Sequence, residues 1–448
     1  MRIETTLLLS YALLPFLSVF LPWSEHLSKS WLNLGALVAI ARIVLIGVLG
    51  NLLIGGTGRI AIDGSLVSGY PLDVVLSLDA KRFGFLLIAE ICFLLSHWMS
   101  TVIGRASLIR RLTSLVQGIS ALFVLSDNAV AAGGFLVLGG VSLYYLVRFS
   151  SSELSSDNHK KIASRIHVIS YLLGIAFVSW GILEFSSREM LFSTGSTNPW
   201  GSRLWIVMLI LSVPVSPFGA WLKRAMNFVS EGVALCVILF FSALLLKHSM
   251  IMGVVYPELT QVERTVINGI GMVGAIVALV HVFLSKTRRD MLSSLVCFFF
   301  ALILVSLGVA KKASVEAAYF ICVFLPPLSA LIFYATSIQI RSNLQKVFMA
   351  ILCLLVLGLP GTPIYLIFSN IGARTLDLGV VHILFFGILW FLYFCSSVYI
   401  GRKLFLDDDS LKLGNVSELE GASVPIAAFG VVFMFFLILA SQLSWRIL

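Results

Sequence analysis

The sequence predicts an all-α polytopic membrane protein with about fourteen transmembrane helices. Three observations carry this expectation. Of 448 residues, 59% are hydrophobic and 12% are charged, about half the charged share of a soluble chain. Mean hydropathy is +1.02. Apolar runs of about twenty residues, the length that spans a hydrocarbon core, recur from end to end between short polar breaks. A soluble chain of this length needs a polar surface that these residues do not supply, so the main solvent is lipid.

The runs fall at 5–22, 32–54, 83–103, 108–125, 129–147, 163–184, 203–221, 230–255, 265–285, 290–310, 315–338, 346–369, 379–400 and 423–444. Backbone groups in lipid must be satisfied within the segment, so each run is read as a helix. The ten-residue alternating strands of a membrane barrel are not seen. The first run lacks a small-residue cleavage site and has only Arg2 before it, so it is read as a retained helix. The longest polar loops, 55–81, 149–162, 185–202 and 401–422, are too short to fold alone. The acidic run Asp407 to Asp409 reads as a solvated loop face.

Orientation follows from the basic residues. With the N-terminus outside, the cytoplasmic loops hold 18 Lys and Arg and the opposite loops hold 9. That bias places both termini on the periplasmic side of a bacterial inner membrane. The net charge of +9 is scattered between apolar runs. It therefore reads as topology setting, with the bilayer and not nucleic acid as its partner. The six cysteines, Cys92, Cys236, Cys297, Cys322, Cys353 and Cys395, all lie in apolar stretches, outside any CxxC pair, and read as small packing residues. No nucleophile constellation, metal cluster or phosphate loop supports a self-contained enzyme, and no cofactor is expected.

Ionisable residues deep in a span are costly and usually functional. Those found are Arg42, Glu90, His97, His167, Lys247, His248, His281 and His382. Lys247 and His248 stand out near the middle of the run from Gly232 to Tyr256. A break there, with Lys247 at an interface, is the competing reading. Arg42 and Glu90, on the second and third spans, are opposite charges and read most simply as a structural ion pair. Lys247, His248, His281 and Glu90 are the candidates for a proton or ion path. Two spans carry helix breakers: Pro214 and Pro217 in the seventh, and Gly358, Pro360, Gly361 and Pro363 in the twelfth. Paired broken helices point to inverted repeats and a transport path.

Gly358-Leu359-Pro360-Gly361-Thr362 reproduces a GLPGT segment, and the chain here resembles the M-type antiporter-like subunit of respiratory complex I. Pro217 to Leu222 is similar to the PFHxWLP segment of that family, with Gly219 in place of His and Lys223 in place of Pro. Ser126-Asp127 leading to Tyr144-Tyr145-Leu146 resembles its S-D-L…Y-x-L stretch. Arg288-Arg289 before Ser293-Ser294 resembles its basic link to the tenth helix. The order and spacing hold over residues 80–400. The resemblance is therefore to a divergent member of the complex I and Mrp antiporter superfamily.

That resemblance implies one integral membrane domain over 1–448. Three helices occupy 1–107. Two inverted five-helix repeats, helices 4–8 and 9–13, occupy 108–255 and 265–400, with helices 7 and 12 broken. A last helix occupies 423–448. The family passes protons through a Glu in helix 5, Lys residues in helices 7 and 8, and a Glu or Lys in helix 12. Here those positions fall at Leu136, Ser212, Ser242 or Ala243, and Phe368, with Lys247 about one turn beyond the helix 8 position. Most of the charged axis is thus replaced. The implied role is a membrane subunit of a NADH:quinone oxidoreductase-like or Mrp-like complex, not catalytic alone, with other membrane subunits as partners. A purely structural scaffold and an independent transporter or lipid-linked glycan flippase are the alternatives. The flippase would line its cavity with several Arg or Lys, and only Arg42 and Lys247 are clearly intramembrane.

Overall fold

The computed structural model describes residues 3–20, 34–55, 58–65, 73–99, 106–150, 157–184, 199–214, 220–255, 259–337, 343–360 and 362–406. The expected fourteenth helix at 423–444 and the acidic run Asp407–Asp409 lie outside them. Helices dominate, as the apolar runs require, and the chain is a multi-pass membrane protein. Eleven described helices are long and apolar enough to cross a bilayer. The chain divides into two compact units, the first holding Met1–Val213 with Arg224–Thr260, the second Pro214–Lys223 with Gln261–Leu448.

In the first unit, α1 (Ile3–Phe20) and α2 (Leu34–Gly55) precede strands β1 (Arg59–Ser65) and β2 (Asp73–Asp79). There follow α3 (Ala80–Met99), α4 (Ala106–Leu125), α5 (Ala129–Phe149), α6 (Asp157–Glu184) and α7 (Pro199–Ser212). Then come α8 (Ala220–Phe228), which begins in the second unit, and α9 (Glu231–Val255). The strands are a correction to the loop expected at 55–81. They pair antiparallel with Arg59 opposite Asp79 and Ser65 opposite Asp73. Seven-residue strands are too short to register as spans, and their pairing partner is set by tertiary contact. β2 docks on the end of α4 through a bridge from Leu76 to Ser126 and a hydrogen bond from the Asp127 N–H to Val75 O, 2.8 Å.

The α4–α5 corner is written locally. Asn128 caps α5, its Oδ1 accepting from the N–H groups of Val130 and Ala131 at 2.8 and 3.3 Å. α5 and α6 then pack closely because Gly133 faces the Gly174 carbonyl: a Cβ at Gly133 would lie 2.6 Å from that oxygen. α9 is buried around nearly its whole circumference, Lys247 and His248 included.

The second unit holds α10 (Gln261–Leu284), α11 (Arg288–Val309), α12 (Lys312–Ser337), α13 (Asn343–Leu357), α14 (Pro363–Thr375) and α15 (Val380–Leu406). α11 is its buried centre. Thr287 caps α11 by accepting from the Asp290 N–H at 3.1 Å. α15 instead exposes Val381, Leu384, Phe385, Ile388 and Phe391, an apolar face suited to lipid.

Both expected breaks are present. α7 stops at Ser212, just before Pro214, and α8 begins at Ala220; Pro217 lies outside the described residues. The second break spells out its own stop and start. Gly358, at φ 66°, closes α13 by donating to Leu355 O at 3.2 Å. Pro360 cannot continue the helix. Thr362 Oγ1 then accepts from the Tyr365 N–H at 3.4 Å, and Pro363 takes the first helical position of α14. Gly361 lies outside the described residues.

Candidate functional site

The side chains singled out in the first unit resolve into three places. Lys247 lies on α9 and is 1% exposed. The apolar run suggested an ammonium stranded mid-span. It is in fact seated on the C-terminal end of α4, donating to Val124 O at 3.0 Å and Ser126 O at 2.5 Å. Carbonyls at a helix C-terminus carry the negative end of the dipole, which suits a cation. The Phe123 ring adds a face 5.8 Å from Nζ.

Asp127, one residue beyond that helix end, is the local counter-charge. Its Oδ2 accepts from Arg59 Nη2 at 2.5 Å and Ser77 Oγ at 2.5 Å, and its Oδ1 accepts from Arg82 Nη2. Arg82 also donates to Ser77 O at 3.1 Å. Burial works to push the Asp127 carboxyl up. Arg82, Lys247 and the hydrogen bonds from Ser77 and Arg82 outweigh it and hold the group below its ordinary value. Sequence reasoning gave Lys247 no acidic neighbour, because Asp127 is 120 positions away in the chain. The β-hairpin and the α4–α5 corner bring them together.

His248, fully buried, points to the first helix break. Its Nε2 lies 2.9 Å from Ser212 Oγ, at the last residue of α7. The Ser212 hydroxyl also donates to Met208 O at 2.6 Å. With its one proton so engaged, Ser212 accepts from a protonated Nε2. His248 Nδ1 is then a buried acceptor with no hydrogen-bond partner among the described residues. Phe177 and Trp205 hold the ring at centroid distances of 5.5 and 5.9 Å.

The third place is the ion pair expected from the sequence. Arg42 Nη2 on α2 lies 2.9 Å from Glu90 Oε1 on α3, and both side chains are buried. Two groups unforeseen from the sequence complete it. Tyr11 on α1 donates to Glu90 Oε1 at 2.7 Å, and Gln117 on α4 donates to Glu90 Oε2 at 2.5 Å. Arg42 also lies over the Tyr11 ring at 4.2 Å.

Among the described residues, the second unit has no counterpart of these charges around its break. Phe368 on α14 is 1% exposed and packs against Phe298, Trp390 and Tyr393, with centroids 6.1, 5.5 and 5.0 Å away. The Tyr393 hydroxyl donates to Val356 O, one of the carbonyls left over where α13 ends. His281, the remaining path candidate, joins none of these groups. It is exposed on α10 and its Nδ1 contacts only Val277 O of its own helix, at 2.9 Å, among its described hydrogen bonds. Among the described residues, no group of three or more His, Cys, Asp or Glu is arranged to hold a metal ion.

No protein-family model matches this sequence, and no curated protein does. Solved structures do. The chain is similar to one from the Mrp complex of Dietzia sp. DQ12-45-1b, at a TM-score of 0.74 and 16% identity. That match covers 96% of this chain but 50% of the other, so the chain spans about half the length of that relative. It is similar over 99% of its length to 95% of a chain of an archaeal respiratory membrane complex, the membrane-bound sulfane sulfur reductase, at a TM-score of 0.80 and 12% identity. It is also similar over 96% of its length to 97% of a chain of respiratory complex I from Thermus thermophilus, at a TM-score of 0.67 and 12% identity. The chain shares the fold of these three chains.

The positions that the sequence resemblance sets against the helix 5 and helix 12 acids are apolar and buried. Leu136 is fully buried on α5, and Phe368 sits in its aromatic cluster. Ser212, matched to the helix 7 Lys, meets His248 instead. Ser242 and Ala243 are both fully buried on α9, one turn before Lys247.

Proposed function

We propose that this chain is an antiporter-like membrane subunit of a complex I-like or Mrp-like assembly in a bacterial inner membrane, where it acts mainly as a scaffold. The observation that carries the scaffold reading is the aromatic packing around Phe368. A proton path needs ionisable groups or water at intervals across the bilayer. In the second unit the broken helix is wrapped instead by Phe298, Tyr393 and Trp390. In the first unit Lys247 has settled on helix-end carbonyls, as a structural cation does. The chain has fourteen spans, with 108–255 and 265–400 as inverted repeats and both termini periplasmic. The two broken helices and the twofold bias of basic residues support this arrangement.

Reconstituted vesicles carrying a pH-sensitive dye test the reading. The wild-type chain is expected to add no proton flux over empty vesicles, and Lys247→Met to leave assembly with partner subunits intact. A wild-type flux that Lys247→Met abolishes would overturn the scaffold. That outcome would favour the second reading, a working translocator, for which His248 at the first helix break is the supporting observation. Thiol labelling at Lys161→Cys and Arg402→Cys tests the topology, and access from the periplasm would refute it.

A further inference from the structure

Residues 110–120 of α4 carry a run of buried polar groups that the scaffold does not use. Arg110, Thr113, Ser114, Gln117 and Ser120 are each at most 5% exposed. Their spacing places them within one third of the helix circumference. Arg110 Nε and Nη1, Ser114 Oγ and Ser120 Oγ have no hydrogen-bond partner among the described residues, while Thr113 lies beside the Cys236 thiol and Gln117 beside His97.

Back-bonding to the preceding turn would be the simple escape, since helical Ser and Thr commonly donate to the carbonyl four residues earlier. Elsewhere the chain uses it. Ser142, Ser212, Ser293, Ser294, Ser329, Ser396 and Ser397 all donate in this way. Thr113, Ser114 and Ser120 do not.

The face opposite, on α3, carries the matching groups. His97, fully buried, lies beside Arg110 and Gln117, and neither ring nitrogen makes a well-formed hydrogen bond among the described residues. Two turns away on the same face is Glu90, held by Gln117. Where the two helices leave space, Glu90, Gln117, Ser120, Phe93 and Leu239 line a cavity of about 10 Å³, which is room for about one water molecule. Buried polar groups without protein partners are usually satisfied by ordered water, and a water needs two to four such partners. Glu90, Gln117 and Ser120 are the polar residues that line this cavity.

We propose that the α4 stripe is a hydrated access path from the membrane surface near Arg110 to Glu90, ending in one ordered water in that cavity. The ten residue steps from Arg110 to Ser120 rise about 15 Å, roughly half the hydrocarbon core. Along the path, Glu90 takes one proton from hydronium, leaving water and a neutral carboxyl, and returns it by the same way. Arg42 and Tyr11 close the far side of Glu90, so the path exchanges protons with one membrane face without carrying them across. It therefore stands whether or not the scaffold reading holds.

The test uses the full chain in membranes, with its six cysteines replaced. Ser114→Cys and Ser120→Cys are expected to react with a small water-soluble thiol reagent, applied from the Arg110 side, about tenfold faster than Ile119→Cys on the opposite face of α4. Equal rates, or labelling only from the other membrane face, would overturn the path. Should these variants fail to insert, the unmodified chain decides. Hydroxyl-radical labelling of Phe93 about threefold above that of Phe299 supports a bound water, and equal labelling of the two rings overturns it.

Discussion

Asp127→Asn removes one charge from the corner that seats Lys247, and its cost can be worked from the contacts. The carboxylate accepts from Arg82, Ser77 and Arg59, and its backbone N–H ties the corner to Val75. Arg59 is about half exposed, so its pair contributes little, on the order of 0.5 kcal/mol. Arg82 is 4% exposed, and its other acid, Asp79, is 3.7 Å away. Breaking a buried pair by removing one partner costs about 3–5 kcal/mol. Asparagine keeps an acceptor, so the low end applies. About 3 kcal/mol is a little over a hundredfold in the opening equilibrium of the hairpin on α4. Hydrogen exchange of the Asp127 amide in detergent should therefore quicken by about two orders of magnitude. The wild-type contribution has a fixed sign with pH. Because the folded carboxyl titrates below its ordinary value, the stabilisation is full above the unfolded pKa of about 4. It is lost as pH falls through the lower folded value. Exchange in Asp127→Asn within threefold of wild type would refute the claim that this carboxylate anchors the hairpin.

Two further outcomes follow from buried partners. Arg42→Leu strands Glu90 and should lower stability by about 3–5 kcal/mol, whereas Arg42→Leu with Glu90→Leu should recover most of it; thermal unfolding of the two variants showing equal losses would rule out a partnered charge. Tyr393→Phe leaves the Val356 carbonyl without its donor, costing about 1–3 kcal/mol. Faster exchange or proteolysis at the α13–α14 break reports it, and an unchanged break would show the hydroxyl is idle.

Much of this protein is determined by sequence alone, because lipid leaves the backbone few choices. A twenty-residue apolar run must bond within itself, so the eleven span-length helices among the described residues follow the hydropathy closely. The two breaks were legible for an equally local reason: Gly358, Pro360, Thr362 and Pro363 each act on the backbone of their own turn. The Arg42–Glu90 pair was readable because two opposite charges in adjacent spans have few other places to go.

What only the tertiary structure decided are the partners of groups far apart in the chain. The hairpin at 59–79 is too short to leave a clear period, and it forms by docking on Ser126 and Asp127. Lys247 looked stranded in hydrocarbon until α9 was laid against the end of α4. His281 shared its residue type with His248, yet one faces outward and the other meets Ser212 at the helix break. The polar residues of α4 meet Glu90 and His97 only once α3 is packed against α4. Hydropathy fixes whether a segment enters the membrane, a property summed over one segment. Which side chain meets which depends on helix rotation and crossing, and those are set by packing between segments.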